Sequence, residues 1–342
     1  MTTRLTLSLL AAAAATTLLA GPTGVLAQSK PVELRYTSGA PPKGNPWVMQ
    51  VERLVKEVDE ESKGSIKISP FFASQLGSEQ DTVQQVARGR IDMGGFSAGS
   101  AALVVPEVAL LLMPFYFRNV EEADCVLDSA MTKPVADLFA KKGIKFFGFG
   151  DVGSIEFFGT KPFVMPADMN GVKAAIYANK TQSMFFGTLG ANVNPLGLPE
   201  WIPAFQTGMV EVVMTPITFA LPSGLTKVAP VMTRLGLYDS PAINLINMGT
   251  WNRLSKDQQA AFERATAKNP STALRKEVRG FEGVLNGMFE KGGGKIVTPT
   301  QEQRDAWRKV MEPVYPQIVK ETGGDSAAFY AAMEAGRKAC AK

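Results

Sequence analysis

The chain switches between helical and strand periodicity many times, and that alternation limits the folds open to it. ELRYTSG reads as a strand. The stretch NPWVMQVERLVKEVDEESKG then places Val51, Leu54, Val55 and Val58 on one helical face, with Asn45 as cap and Pro46 at the first helical position. Gly64 ends that helix, SIKISPF returns to a strand, Ser78 caps a helix through Val83 and Val86, and RIDMGGFS is a strand again. Helices follow around VEEADCVLDSAM and KPVADLFAKKG, and then the apolar strand IKFFGFG. Strands alternating with helices at such distances predict βαβ units and a largely parallel sheet, an α/β fold.

A second series starts at Gly153 with the strands SIEFFGT and VKAAIYA, a helix from Thr181 through Leu189, the helix EWIPAFQTG and the strand MVEVVM. From Ser255 the chain is mainly helical, and Ser255 to Gln258 and Thr300 to Gln303 both fit a capping box. A chain of 342 residues is long enough for two lobes, each with its own core. No Pro, Gly or Ser linker separates the halves, so direct crossings of the chain are expected between them, with a ligand cleft there. FFGFGDVGS, residues 146–154, is the expected crossing, where Gly148, Gly150 and Gly153 would supply the backbone freedom that lobe closure needs.

The N-terminal stretch MTTRLTLSLLAAAAATTLLAGPTGVLAQS has one positive residue, Arg4, then an apolar run, then the small-residue site Val25-Leu26-Ala27. It reads as a secretory signal peptide cleaved after Ala27, and no later stretch is apolar enough to span a bilayer. Losing Arg4 leaves a nearly neutral chain, since 36 Lys and Arg face 32 Asp and Glu in the whole sequence. Nucleic acid is therefore not an expected partner. Cys125 and Cys340 are the only cysteines, and spacing leaves a disulfide and two separate thiols equally open.

The sequence has no histidine. The usual general base of serine and cysteine hydrolases is missing, and so are the commonest zinc and iron ligands. No catalytic residue, cofactor or metal site is expected. Most of the carboxylates lie on helix faces such as VERLVKEVDEESKG, where solvent is their natural partner.

Three stretches carry a family resemblance: FFASQLGSEQDTVQQVARGRIDM, PEVALLLMPFYFRNVEEADCVLD and LGANVNPLGLPEWIPAFQTGMVEVVMTP. SQLG, the G-x-I-D-M strand, P-F-x-F-R and A-x-Q-T-G occur in the order seen in DctP-type solute-binding proteins of tripartite ATP-independent periplasmic (TRAP) transporters. The chain resembles that family from about Val32 to Gly323. The resemblance implies a two-lobed periplasmic binding protein fold with crossing strands and a helical C-terminal region. Residues 28–150 with about 241–285 would form lobe I, and 151–240 with about 286–342 lobe II and the C-terminal helices. It also implies a monomer in the periplasm that closes around a small solute and delivers it to membrane-embedded permease subunits.

Most ligands of that family are organic acids, held by an arginine on the strand after a D-L-K-G turn. Here the turn is Asp168-Met169-Asn170-Gly171, and aligning it puts Ala175 at the arginine position. A guanidinium makes two parallel hydrogen bonds to a carboxylate, and a methyl group makes none. A second family arginine falls at Ser154, with Glu156 two residues on, and the family's asparagine after Q-T-G falls at Thr215. The D-G of that strand is Glu211-Val212.

The expected ligand contacts are Gly39, Glu79, Phe96, Ser97, Ser154, Glu156, Lys173, Ala175, Tyr177, Thr215 and Phe219. Each has a plainer role open to it: Lys173 as an exposed lysine, Glu156 as an edge carboxylate, Tyr177 and Phe219 as core aromatics. Phe115, Tyr116 and Arg118 read as structural. The expected ligand is a small organic molecule with apolar or aromatic surface. Two alternatives stay open: an organic acid anchored by Lys173 or backbone donors, and a module presenting its ligand to an extracytoplasmic sensor.

Overall fold

The computed structural model describes residues 30–177 and 179–341, and the expected leader with its cleavage point after Ala27 lies outside them. The chain enters on β1 (Val32–Thr37) and runs into helix α1 (Pro46–Glu61), where Asn45 caps by accepting from the Trp47 N–H. β2 (Ile66–Phe71) lies parallel to β1. Ser78 then caps α2 (Glu79–Ala87) through the Asp81 N–H, and β3 (Met93–Ser97) pairs parallel with the other side of β1. The predicted caps and strands of this first βαβαβ series are thus in place, and both capping boxes, at Ser255 and Thr300, form.

The two predicted strands IKFFGFG and SIEFFGT are one strand, β4 (Ile144–Gly159), with the glycine-rich segment inside it. Its partner is a 17-residue strand, β8 (Val231–Asn247), which sequence patterning does not reveal. Gly236, at φ 64°, and Pro241 break its apparent period. Proline cannot donate to a ladder, and Pro241 sits opposite Asp151, where the β4 register shifts before Gly153. Gly148 (φ 146°) and Gly153 (φ 107°) take up the irregular geometry at these shifts, as only glycine does without strain.

Beyond β4 the sheet continues with β5 (Lys173–Ile176), β6 (Asn192–Pro195) and β7 (Val212–Pro216), and β9 (Lys295–Val297) pairs with β8. The strand order is β2-β1-β3-β8-β4-β7-β5-β6. Both ends of the sheet are parallel, whereas every pairing along β4, and that of β3 with β8, is antiparallel. The two long strands therefore carry the chain between two parallel halves, and the chain from Pro31 onward holds together as one compact unit. Among the described residues no helix is long and apolar enough to cross a membrane.

The C-terminal helices close over this frame. Cys125 and Cys340 form a disulfide across a sequence separation of 215, tying helix Ser326–Ala339 to helix Val120–Val126. Beside it, the buried Arg275 of helix Ser271–Lys291 grips Asp128 with two bonds of 2.8 and 2.6 Å, and Arg279 grips Asp124 in the same way. Such paired forks fix helix orientation as well as distance.

Candidate functional site

Where β3, β4 and β8 cross the middle of the sheet, the start of α1 folds over them and a cavity opens. It encloses about 760 Å³ of empty space when counted out past its mouth into open solvent. One wall is the indole of Trp47. A side chain of even one carbon at Gly95 would lie 2.2 Å from this ring, and one at Gly150 would lie 2.1 Å from it. Two glycines on separate strands thus leave the slot that lets Trp47 lie against the sheet.

Glu79, the first residue of α2, lies 8% exposed in the wall. Its carboxylate accepts from the Ser97 N–H (3.2 Å), the Ser97 hydroxyl (2.7 Å) and the Ser100 hydroxyl (2.7 Å). Burial pushes its pKa up, and the serine donors pull it partly back. Gly39 comes close enough that an added carbon would stand 3.5 Å from Glu79 and 3.0 Å from Leu198. Asp151 lines the same cavity at 2% exposure, and burial raises its carboxyl to about 7 despite the Gly153 N–H donated to it.

The opposite wall comes from the other half of the sheet. Tyr177 follows β5, Thr215 lies in β7, and Phe219 belongs to the short helix Ile217–Ala220. Tyr177 and Phe219 both pack edge-on against the buried Trp201, at 5.7 and 5.8 Å between ring centres. Gln182 accepts from the Tyr177 N–H (2.8 Å) and donates to the Tyr238 hydroxyl (3.4 Å), fixing two more wall positions. The walls meet where Asn45 Nδ2 donates to the Thr218 carbonyl at 3.0 Å.

Of the expected contacts, Gly39, Glu79, Phe96, Ser97, Tyr177, Thr215 and Phe219 come together around this cavity. Ser154, Glu156, Lys173 and Ala175 do not. Glu156 accepts from the Leu235 and Gly236 N–H groups and from the Ser154 hydroxyl, so it fastens the irregular turn of β8. The Ser154 N–H donates to Glu282. Lys173 is exposed, and its ammonium donates to the Gly208 carbonyl at 2.9 Å. Ala175 is 1% exposed in the core cluster that holds Trp201, Ala204 and Val213, so the space freed by its small side chain is filled by protein.

Sequence patterning missed Trp47, Asp151, Gln182 and Tyr238 as wall residues. The one available signal was the pair of glycine-rich strands, MGGFS and FFGFG, which mark a close approach that no single-strand reading can assign. Phe115 and Arg118 face a separate surface depression of about 940 Å³ that also includes Arg304 and Arg308. Arg118 is engaged there with Glu122 at 2.9 Å.

The sequence model of bacterial extracellular solute-binding protein family 7, DctP, matches residues 37–322. The chain is 23% identical over 332 residues to the C4-dicarboxylate-binding periplasmic protein DctP of Rhodobacter capsulatus, covering 97% of this chain and 99% of that one. It is 28% identical over 275 residues to a solute-binding protein of Verminephrobacter eiseniae, covering 80% and 81%. The sugar acid binding protein of Advenella mimigardefordensis, solved with galactonate, superposes with a TM-score of 0.84 at 22% identity, covering 91% and 99%. A TRAP periplasmic solute binding protein of a Sulfitobacter species, solved with β-D-galacturonate, gives 0.82 at 23%, covering 90% and 99%. The family model matches over most of the length, and this chain belongs to the DctP family of bacterial extracellular solute-binding proteins.

Proposed function

We propose that this protein is the exported receptor of a TRAP transporter, which captures a small organic solute in the central cavity and hands it unchanged to membrane permease subunits. The carrying observation is the position of the cavity. Its walls come from both halves of the sheet, α1 and β3 on one side and Tyr177, Thr215 and Phe219 on the other, with β4 and β8 running between. Residues 28–150 with 241–285, and 151–240 with 286–342, would act as the two lobes, hinged on β4 near Gly148 and Gly153. Closure would hide the solute and present a surface that the permease reads.

The solute is not held by an arginine at position 175, and Lys173 is occupied elsewhere, so side-chain anchoring must come from the cavity's own residues. Binding without turnover is part of this reading, in line with the family of binding proteins to which the chain belongs. The test is to purify the protein from the periplasm and identify the small molecule that leaves it on unfolding. One solute, recovered unaltered after long incubation and raising the melting temperature on re-addition, is expected. A solute at 100 times Kd stabilises by about 2.7 kcal/mol. Chemical conversion of the bound compound would refute the receptor reading.

A further inference from the structure

The cavity lining brings together two carboxyl groups, those of Glu79 and Asp151, and no lysine or arginine of the described residues. The three groups that hold the Glu79 carboxylate are an amide and two hydroxyls, which orient it but bring no countercharge. Asp151 Oδ1 accepts from the Gly153 N–H, while its Oδ2 is buried and accepts no hydrogen bond from the described residues. The nearest cation, Arg279 Nη2, stands 3.8 Å from that oxygen and is itself bonded to Asp124. Arg279 thus offsets part of the Asp151 charge, whereas the Glu79 carboxylate has no positive partner among the described residues; burying it so is costly, and an incoming anion beside it would cost more.

The rest of the wall suits a cation. Trp47, Tyr177 and Phe219 bring aromatic rings to the same cavity. Aromatic faces attract ammonium groups, most strongly where water is excluded. We infer that the solute carries a cationic nitrogen, an amine or quaternary ammonium, which pairs with the Glu79 carboxylate among the rings of Trp47 and Tyr177. This rests on the cavity being the solute site and names the ligand class it takes.

The solute released from purified protein is loaded on a cation exchanger at about pH 2, where carboxylates are neutral and amines remain charged. Retention is expected. In calorimetry near neutral pH, phenethylamine and phenethyltrimethylammonium should bind more tightly than 3-phenylpropionate by at least about tenfold. Glu79→Gln should remove that preference while melting as a single transition. Because that variant alters a buried network, the wild type supplies an independent readout: cation affinity should fall as pH is lowered through the Glu79 titration. A released solute that passes the exchanger, or an affinity that rises as pH falls, overturns the cation and leaves solute capture standing. No released solute and no binding by any probe overturns capture itself, and the cation with it.

Discussion

Replacing Gly150 by alanine tests how the cavity wall is built. Its backbone lies outside the left-handed region, so alanine is conformationally permitted there, and in a strand it would ordinarily gain about 0.5–1 kcal/mol over glycine. Here the added carbon would lie 2.1 Å from Trp47 Cζ3 and 2.8 Å from Cη2, with Ala242 Cβ at 3.3 Å behind it. The same ring tip is also crowded by the Gly95 backbone, where an added carbon would stand 2.2 Å from Trp47 Cζ2, so the ring has little room to shift. Overpacking of this kind costs about 1–3 kcal/mol. Gly150→Ala should therefore destabilise the wild type, yet be neutral or stabilising in a Trp47→Ala background. A double-mutant cycle by urea unfolding should give a coupling of about 2 kcal/mol. An equal cost in both backgrounds would refute the slot.

Other outcomes follow from the same structure. Replacing Cys125 and Cys340 together by serine opens a loop with a sequence separation of 215, and urea unfolding should show a loss of up to about 5 kcal/mol; no loss would mean the terminal helix is held by packing alone. Arg275→Met leaves Asp128 without its fork and should cost about 3 kcal/mol in the same assay, and substituting Asp128 with Asn as well should recover part of it. Asp151, raised by burial to about 7, binds a proton in the folded state that the unfolded chain releases near pH 4. Its contribution is complete below that lower value and is lost as pH rises toward about 7, so Asp151→Asn should stabilise the protein at about pH 8 and gain little at about pH 4. A melting curve series in which the gain is the same at both pH values would contradict the raised carboxyl.

Much of the frame could be read from local chemistry. Asn45-Pro46, Ser78, Ser255 and Thr300 act within one turn of themselves, and they cap where patterning puts them. β8 escaped because its irregularities answer to a distant partner: Pro241 is tolerated only opposite the β4 register shift at Asp151. The same holds for the site. Ser97 was accessible because a strand end is a natural ligand position in α/β sheets, and Glu79 only through its alignment with family contacts. Trp47 reads as an ordinary helix-face residue until Gly95 and Gly150 are placed beside it. Ala175 shows the converse, since a turn alignment sets its place on the strand but not what packs over it, and the cluster around Trp201 does.

The most direct test of solute capture at the central cavity is a crystal structure of the protein with the solute recovered from it. The solute should lie between Trp47 and Tyr177, within hydrogen-bond distance of Glu79. Density instead in the depression lined by Arg118, Arg304 and Arg308, with the central cavity holding only water, would contradict it.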